Sequence, residues 1–209
     1  MSAESETEDR ILDAAHAVFL RQGTAGARMQ EIADEAGVNK ALLHYYFRSK
    51  ERLAEAVFRR AARRLMPPML AMMASDAPLD EKVRGLIRHE LEMLSETPGL
   101  PGYLVCEMHH HPERLDQLMV GIVGASPREL ASPVLARLGE QIEERVRTGE
   151  MRPITPEQFM VNLISLCIFP FAARAMLTAI FGQGPEGFDR MIEERKESLA
   201  DFFLNALRP

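Results

Sequence analysis

The chain has 209 residues, 46% of them apolar, 27% charged and 6% aromatic, with no Trp and thirteen each of Met, Gly and Pro. That composition excludes a disordered or collagen-like polypeptide and leaves room for one large or two small domains with a buried core. The formal net charge of −6, taken as an average, counts against a nucleic-acid binder, because counterion release needs a basic surface.

The average hides a division. Residues 10–65 hold eleven Lys or Arg against six acids, net +5, while the segments before and after are acidic. Residues 1–9, with Glu4, Glu6, Glu8 and Asp9, read as an acidic disordered arm; no apolar stretch follows a basic flank, so no secretory signal is expected. The two cysteines, Cys106 and Cys167, are too few for a disulfide framework and suit a reducing, cytoplasmic setting.

Nearly every later segment has helical spacing, and no alternating β-branched run lies between hairpin turns, so an all-α fold is expected. A first helix runs from about Thr7 to Gln22, with Ile11, Ala15, Val18 and Phe19 on one stripe and Gly23 as its stop. Two short helices follow, about 29–36 and 39–47, separated by Gly37-Val38 with Asn39 as N-cap. That is the pattern of a helix-turn-helix. A longer helix starts near Ser49 and carries Arg59-Arg60 and Arg63-Arg64 up to Pro67-Pro68, which should break or kink it. Beyond lie expected helices at about 69–74, 79–96, 102–120, 127–147, 156–181 and 186–207, divided by Pro and Gly. Asn162, Ser165, Pro170 and Arg174 interrupt the apolar run 159–181, so no membrane span is expected. The last two helices suit a four-helix dimer interface through Phe159, Leu163, Leu166, Phe188, Ile192, Leu199, Phe202 and Phe203.

At 100° per residue with Leu43 facing the core, Phe47, Tyr46 and Asn39 lie within about 60° of it, Ala41, His44, Tyr45 and Arg48 turn outward, and Lys40 and Leu42 flank that outward face. A small Ala41 permits close approach to a major groove, Lys40 suits guanine or phosphate, Leu42 suits a thymine methyl, and His44, Tyr45 and Lys50 suit the backbone. The run Gln30-Glu31-Ile32-Ala33-Asp34-Glu35-Ala36-Gly37-Val38-Asn39-Lys40-Ala41-Leu42-Leu43-His44-Tyr45-Tyr46-Phe47-Arg48-Ser49-Lys50-Glu51-Arg52-Leu53 resembles the DNA-binding signature of TetR-family transcriptional regulators. The resemblance covers about Ile11 to Leu53. It implies a three-helix DNA-binding domain at 10–53, a helical effector-binding and dimerisation domain at 54–209, a homodimer, double-stranded operator DNA and a small-molecule effector. It also points to Arg28, Gln30, Lys40, Ala41, Leu42, His44, Tyr45 and Lys50 as DNA-binding residues. Two positions depart from the family pattern: Ala27-Arg28 stand where a hydroxyl N-cap is usual, and His44 stands where Tyr is frequent.

Met69, Met72, Met93, Tyr103, Cys106, His110, Asn162, Phe169 and Arg174 are candidate effector contacts, because Met lines adaptable cavities and an Arg in an apolar helix needs a partner. No cofactor and no metal is expected. Glu107 and His110 have the i, i+3 spacing of a helical metal pair, but the nearest second pair, Asp13 with His16, sits in the first helix, so a di-metal centre is not supported. A single metal-sensor site of His110, Glu107 and His89 stays open beside an exposed helix end at His109–His111. Ser126 lacks the context of a nucleophile elbow, so no enzyme is expected. The alternative to a regulator is a helical small-molecule or metal-binding protein, or minor enzyme, that binds no operator.

Overall fold

The computed structural model describes residues 3–102, 105, 109, 114–182 and 184–209. The regular structure of these residues is helical, without a strand among them. In chain order the elements are α1 (Ala3–Gly26), α2 (Met29–Glu35), α3 (Lys40–Tyr46), α4 (Lys50–Ala74), α5 (Leu79–Glu96), α6 (Arg114–Val123), α7 (Pro127–Arg147), α8 (Pro156–Ala172), α9 (Arg174–Phe181) and α10 (Pro185–Ala206).

Two cores form. Ile11, Ala15 and Val18 of α1, Ile32 of α2, Leu43 and Phe47 of the α3 segment, and Leu53 at the start of α4 close the N-terminal one. The larger core is built on α5, which packs against α4, α8 and α10 through Leu86, Ile87 and Leu91. Each stripe is buried because the helix alone leaves it in water, and each fully buried Leu or Ile contributes roughly 1.5–3 kcal/mol.

Three expectations are corrected. The acidic segment is not a disordered arm from Ala3 on: it is the opening of α1, where Glu4 and Glu6 lie in the first turn and complement the positive end of the helix dipole. Gly23, at φ 70° and ψ 165°, breaks the helical run as expected. The second correction is at Pro67-Pro68, which does not break α4. Both prolines are exposed, so the Arg63 and Arg64 carbonyls they deprive of a donor lie on the wet side, where water substitutes.

The third correction concerns 156–181, which divides at Ala173 into α8 and α9, bent by 70°. Pro170 has no N–H for the Leu166 carbonyl, and Arg195 Nη2 of α10 donates to that oxygen at 2.8 Å. No single helix among the described residues is long and apolar enough to cross a membrane.

Candidate nucleic-acid interface

α2 and α3 meet across Ala36–Asn39. Gly37 turns there at φ 63°, a backbone state that favours glycine, and its N–H donates to the Asp34 carbonyl at 3.2 Å. Asn39 caps α3 by accepting from the Leu42 N–H at 2.8 Å. Arg28 occupies the N-cap of α2 without a side-chain cap bond, in keeping with the hydroxyl that the sequence lacks. Ser49 caps α4, accepting from the Arg52 N–H at 3.2 Å.

These caps fix which face of α3 is presented. Leu43 and Phe47 are buried, Leu42 and Tyr46 half-buried, and Lys40, Ala41, His44, Tyr45 and Arg48 exposed. Tyr45 is 74% exposed and stands edge-on to Tyr46 with ring centroids 5.4 Å apart. His44 Nδ1 lies 3.4 Å from the Arg48 carbonyl. Arg28 and Gln30 are exposed at the start of α2, with Gln30 Nε2 donating to Asp34 Oδ1 at 2.8 Å.

Lys50 is placed differently from its expected role as a free phosphate donor. Its Nζ donates to the Ala25 carbonyl at 3.0 Å and the Ala27 carbonyl at 3.3 Å, so it ties the α1–α2 connection to the start of α4. One of its three N–H donors remains for another acceptor.

Much of the basic charge counted in residues 10–65 is likewise used within the protein. Arg21 pairs with Glu35 at 2.8 Å and Arg59 with Glu55 at 2.6 Å. Arg60 pairs with Asp13 of α1 at 2.7 Å, Arg63 donates to the Gly121 carbonyl of α6 at 3.1 Å, and Arg64 pairs with Glu96 of α5 at 3.1 Å. Burial of the His16 ring on α1, together with the Arg60 and Arg64 charges, holds its pKa below the usual value, against the influence of the Glu96 backbone and the Asp13 charge. Three successive arginines on one helix thus grip three other helices, a use that their Arg-Arg spacing does not reveal. Arg28, Lys40 and Arg48 keep exposed side chains without an ion pair among the described residues.

The candidate effector residues do not converge. Tyr103, Cys106 and His110 lie outside the described residues, as do Glu107 and His111 of the suspected metal cluster. Met69 and Met72 pack half-buried against the larger core and Met93 is buried in it. Asn162 and Phe169 are exposed on the outer side of α8, facing away from Leu163 and Cys167 of the same helix, which are buried. Arg174 lies 4.7 Å over the Phe188 ring and 3.7 Å from Asp189, so both of its partners are structural. No group of three metal-ligating side chains occurs among the described residues.

The expected dimer contacts are also corrected. Phe159, Leu163, Phe188, Ile192, Leu199 and Phe203 are buried inside the protomer and Leu166 is half-buried; Phe202 alone of that set is exposed, at 64%. The strongest apolar stripe of a terminal helix goes to its own core first. α8 and α10 run antiparallel, with Phe159 edge-on to Phe203, Leu166 bonded to Arg195, and Phe171 edge-on to Phe188. Their outer faces expose Val161, Phe169 and Phe202.

Sequence reasoning missed one buried acid, Glu90. Its signal was present: it occupies a stripe position on α5 between the buried Leu86, Ile87, Leu91 and Leu94.

Residues 11–57 match the family model for bacterial regulatory proteins of the tetR family, and residues 80–202 match the tetracyclin repressor-like C-terminal domain. The chain is 30% identical over 158 residues to the HTH-type transcriptional regulator RutR of Escherichia coli, covering 76% of this chain and 70% of that protein. It is 36% identical over 95 residues to an uncharacterised HTH-type regulator of Mycobacterium tuberculosis, a match spanning 46% of this chain and 47% of that protein. Among solved structures, a linker-substituted mutant of HlyIIR superposes with a TM-score of 0.61 at 21% identity, covering 99% of this chain and 98% of that one. A TetR/AcrR-family regulator of Thermobifida fusca superposes at 0.60 and 19% identity, covering 98% and 100%. At these identities the superpositions establish the fold.

Proposed function

The chain belongs to the TetR family of transcriptional regulators, and on that premise we propose that it is a homodimeric repressor released from a two-fold-symmetric operator by a small molecule. The observation that carries the DNA-binding part is the exposed face of α3. Lys40, Ala41, His44 and Tyr45 stand in solvent on a helix anchored by the buried Leu43 and Phe47, as a recognition helix in a major groove requires. Lys40 and Leu42 read base edges; Arg28, Gln30, His44, Tyr45 and the remaining Lys50 donor hold phosphates. The work is done in the cytoplasm, where the operator is.

The second copy docks on the outer faces of α8 and α10 through Val161, Phe169 and Phe202, completing a four-helix bundle. α4 is one helix shared by both cores, so an effector in the C-terminal domain that favours a different tilt of α4 changes the separation of the two α3 helices and weakens operator binding. The coupling is reciprocal: operator weakens effector binding by the same factor.

The test is selection of bound sequences from a random duplex pool, then titration of the winner against a scrambled duplex at two salt concentrations. A two-fold-symmetric winner with a steep salt dependence is expected. Lys40→Ala and Tyr45→Ala should each weaken operator binding by about 1–3 kcal/mol while leaving the dimer intact. Wild-type affinity in both variants sinks this assignment of the face.

A further inference from the structure

Glu90 is the buried carboxylate of the larger core, 3% exposed among Leu86, Ile87, Leu91 and Leu94. The Cys167 thiol of α8 acts on it against the effect of burial, and Oε2 has no hydrogen-bond partner. Lys82 Nζ donates to the Met73 carbonyl at 2.9 Å, and Arg195 Nη2 donates to the Leu166 carbonyl at 2.8 Å while its Nε has no partner. Arg195 acts electrostatically on Cys167, and His89, the neighbour on α5, is engaged with the Leu65 carbonyl at 3.1 Å. Glu90 is left as an acid with an empty acceptor and no cation facing it among the described residues.

An ionised carboxylate in such surroundings is costly, and burial raises the pKa of this one to about 7. The group that lowers its energy most supplies both a positive charge and N–H donors, because a charge-assisted hydrogen bond gains strength where the dielectric is low. An anionic guest would be repelled. α4 runs antiparallel to α5, Lys82 beside Met73 and His89 beside Leu65, which brings Leu65 and its neighbour Met66 to the level of Glu90. Both are half-buried, and the unbranched thioether of Met66 repacks readily around a guest.

We propose that Glu90 is the polar anchor of the effector site, and that the effector is an apolar organic amine whose ammonium meets Oε2. This rests on the effector-responsive reading above and names the chemistry of its ligand.

Three probes with one apolar body and different heads test it: phenylbutylamine, phenylbutanol and phenylbutyrate. Each is titrated calorimetrically into the full wild-type chain and into Glu90→Gln near neutral pH. The amine should bind wild type at least about tenfold more tightly than the alcohol, with the carboxylate weakest. In Glu90→Gln the preference for the amine over the alcohol should vanish; Glu90→Met gives the same readout if the Gln variant does not fold. Equal affinity for amine and alcohol in wild type, binding of none of the three, or an amine preference that survives in the variant overturns the proposal. Operator titration of the same wild-type preparation separates the two levels. A specific operator with no amine preference removes the anchor alone, and no operator at all removes the regulator reading beneath it.

Discussion

Arg64 Nη2 of α4 stands 3.1 Å from Glu96 Oε2 at the last residue of α5, and the Arg64 charge also reaches the His16 ring of α1. The end of the helix that carries Glu90 is therefore fastened to the helix leaving the DNA-binding unit. Arg64 and Glu96 are more than half exposed, so the pair is worth under about 1 kcal/mol, and its consequence is positional. Replacing Glu96 by Gln should move the melting temperature little. Hydrogen exchange at the C-terminal end of α5 should quicken, and unchanged exchange there would mean that the Arg64–Glu96 pair does not hold α5 to α4.

His16 and Glu90 give opposite pH dependences of stability. The pKa of His16 is lowered in the fold, first by burial, so the unfolded chain takes up its proton first and stability is lost as pH falls below about 6.5. Chemical denaturation of His16→Gln between pH 7 and 5 should show a smaller loss than wild type.

Glu90 is raised in the fold from 4.5 to about 7. Its contribution is intact below pH 4.5 and is lost as pH rises through about 7, by an amount on the order of 2–3 kcal/mol. Glu90→Gln should therefore be more stable than wild type at pH 8, with the gap closing toward pH 5. A pH-independent difference would mean that the carboxyl does not titrate in that range.

Phe202 and Phe159 separate the dimer surface from the core. Phe202→Asp should yield a folded monomer in sedimentation, because that ring is 64% exposed in the protomer. Phe159→Ala, at a position with no exposure, should cost about 3–5 kcal/mol of folding stability. A Phe202→Asp variant that remains a dimer would place the second copy elsewhere.

Lys50→Ala removes the two bonds to the Ala25 and Ala27 carbonyls. Each bond from a charged donor is worth about 1.5–3 kcal/mol at most, less here because one carbonyl is exposed. The expected result is faster hydrogen exchange across the α1–α2 connection together with weaker operator binding. Weaker binding with unchanged exchange would return Lys50 to a direct phosphate contact.

The DNA-binding unit was the most legible part of the chain. Gly37, Asn39, Leu43 and Phe47 act within a few residues of one another, and local spacing fixes the turn, the cap and the buried face. The C-terminal domain was legible as helices, with 79–96 and 127–147 matching α5 and α7 to the residue. Its faces were misassigned: Asn162 and Phe169 turn outward, and Phe159, Leu163 and Phe188 turn inward.

By itself, the sequence determined the all-helical class, the helix-turn-helix and the resemblance that led to the family, because periodicity, caps and turn residues are local properties that survive in a string of letters. The tertiary structure decided which of two apolar stripes on α8 meets the protomer's own core, which arginines of α4 are spent on Asp13, Gly121 and Glu96, and that Glu90 is enclosed with an unmet oxygen. Those outcomes depend on residues far apart in the chain competing for the same space and the same hydrogen bonds. That competition is settled only when the helices have packed.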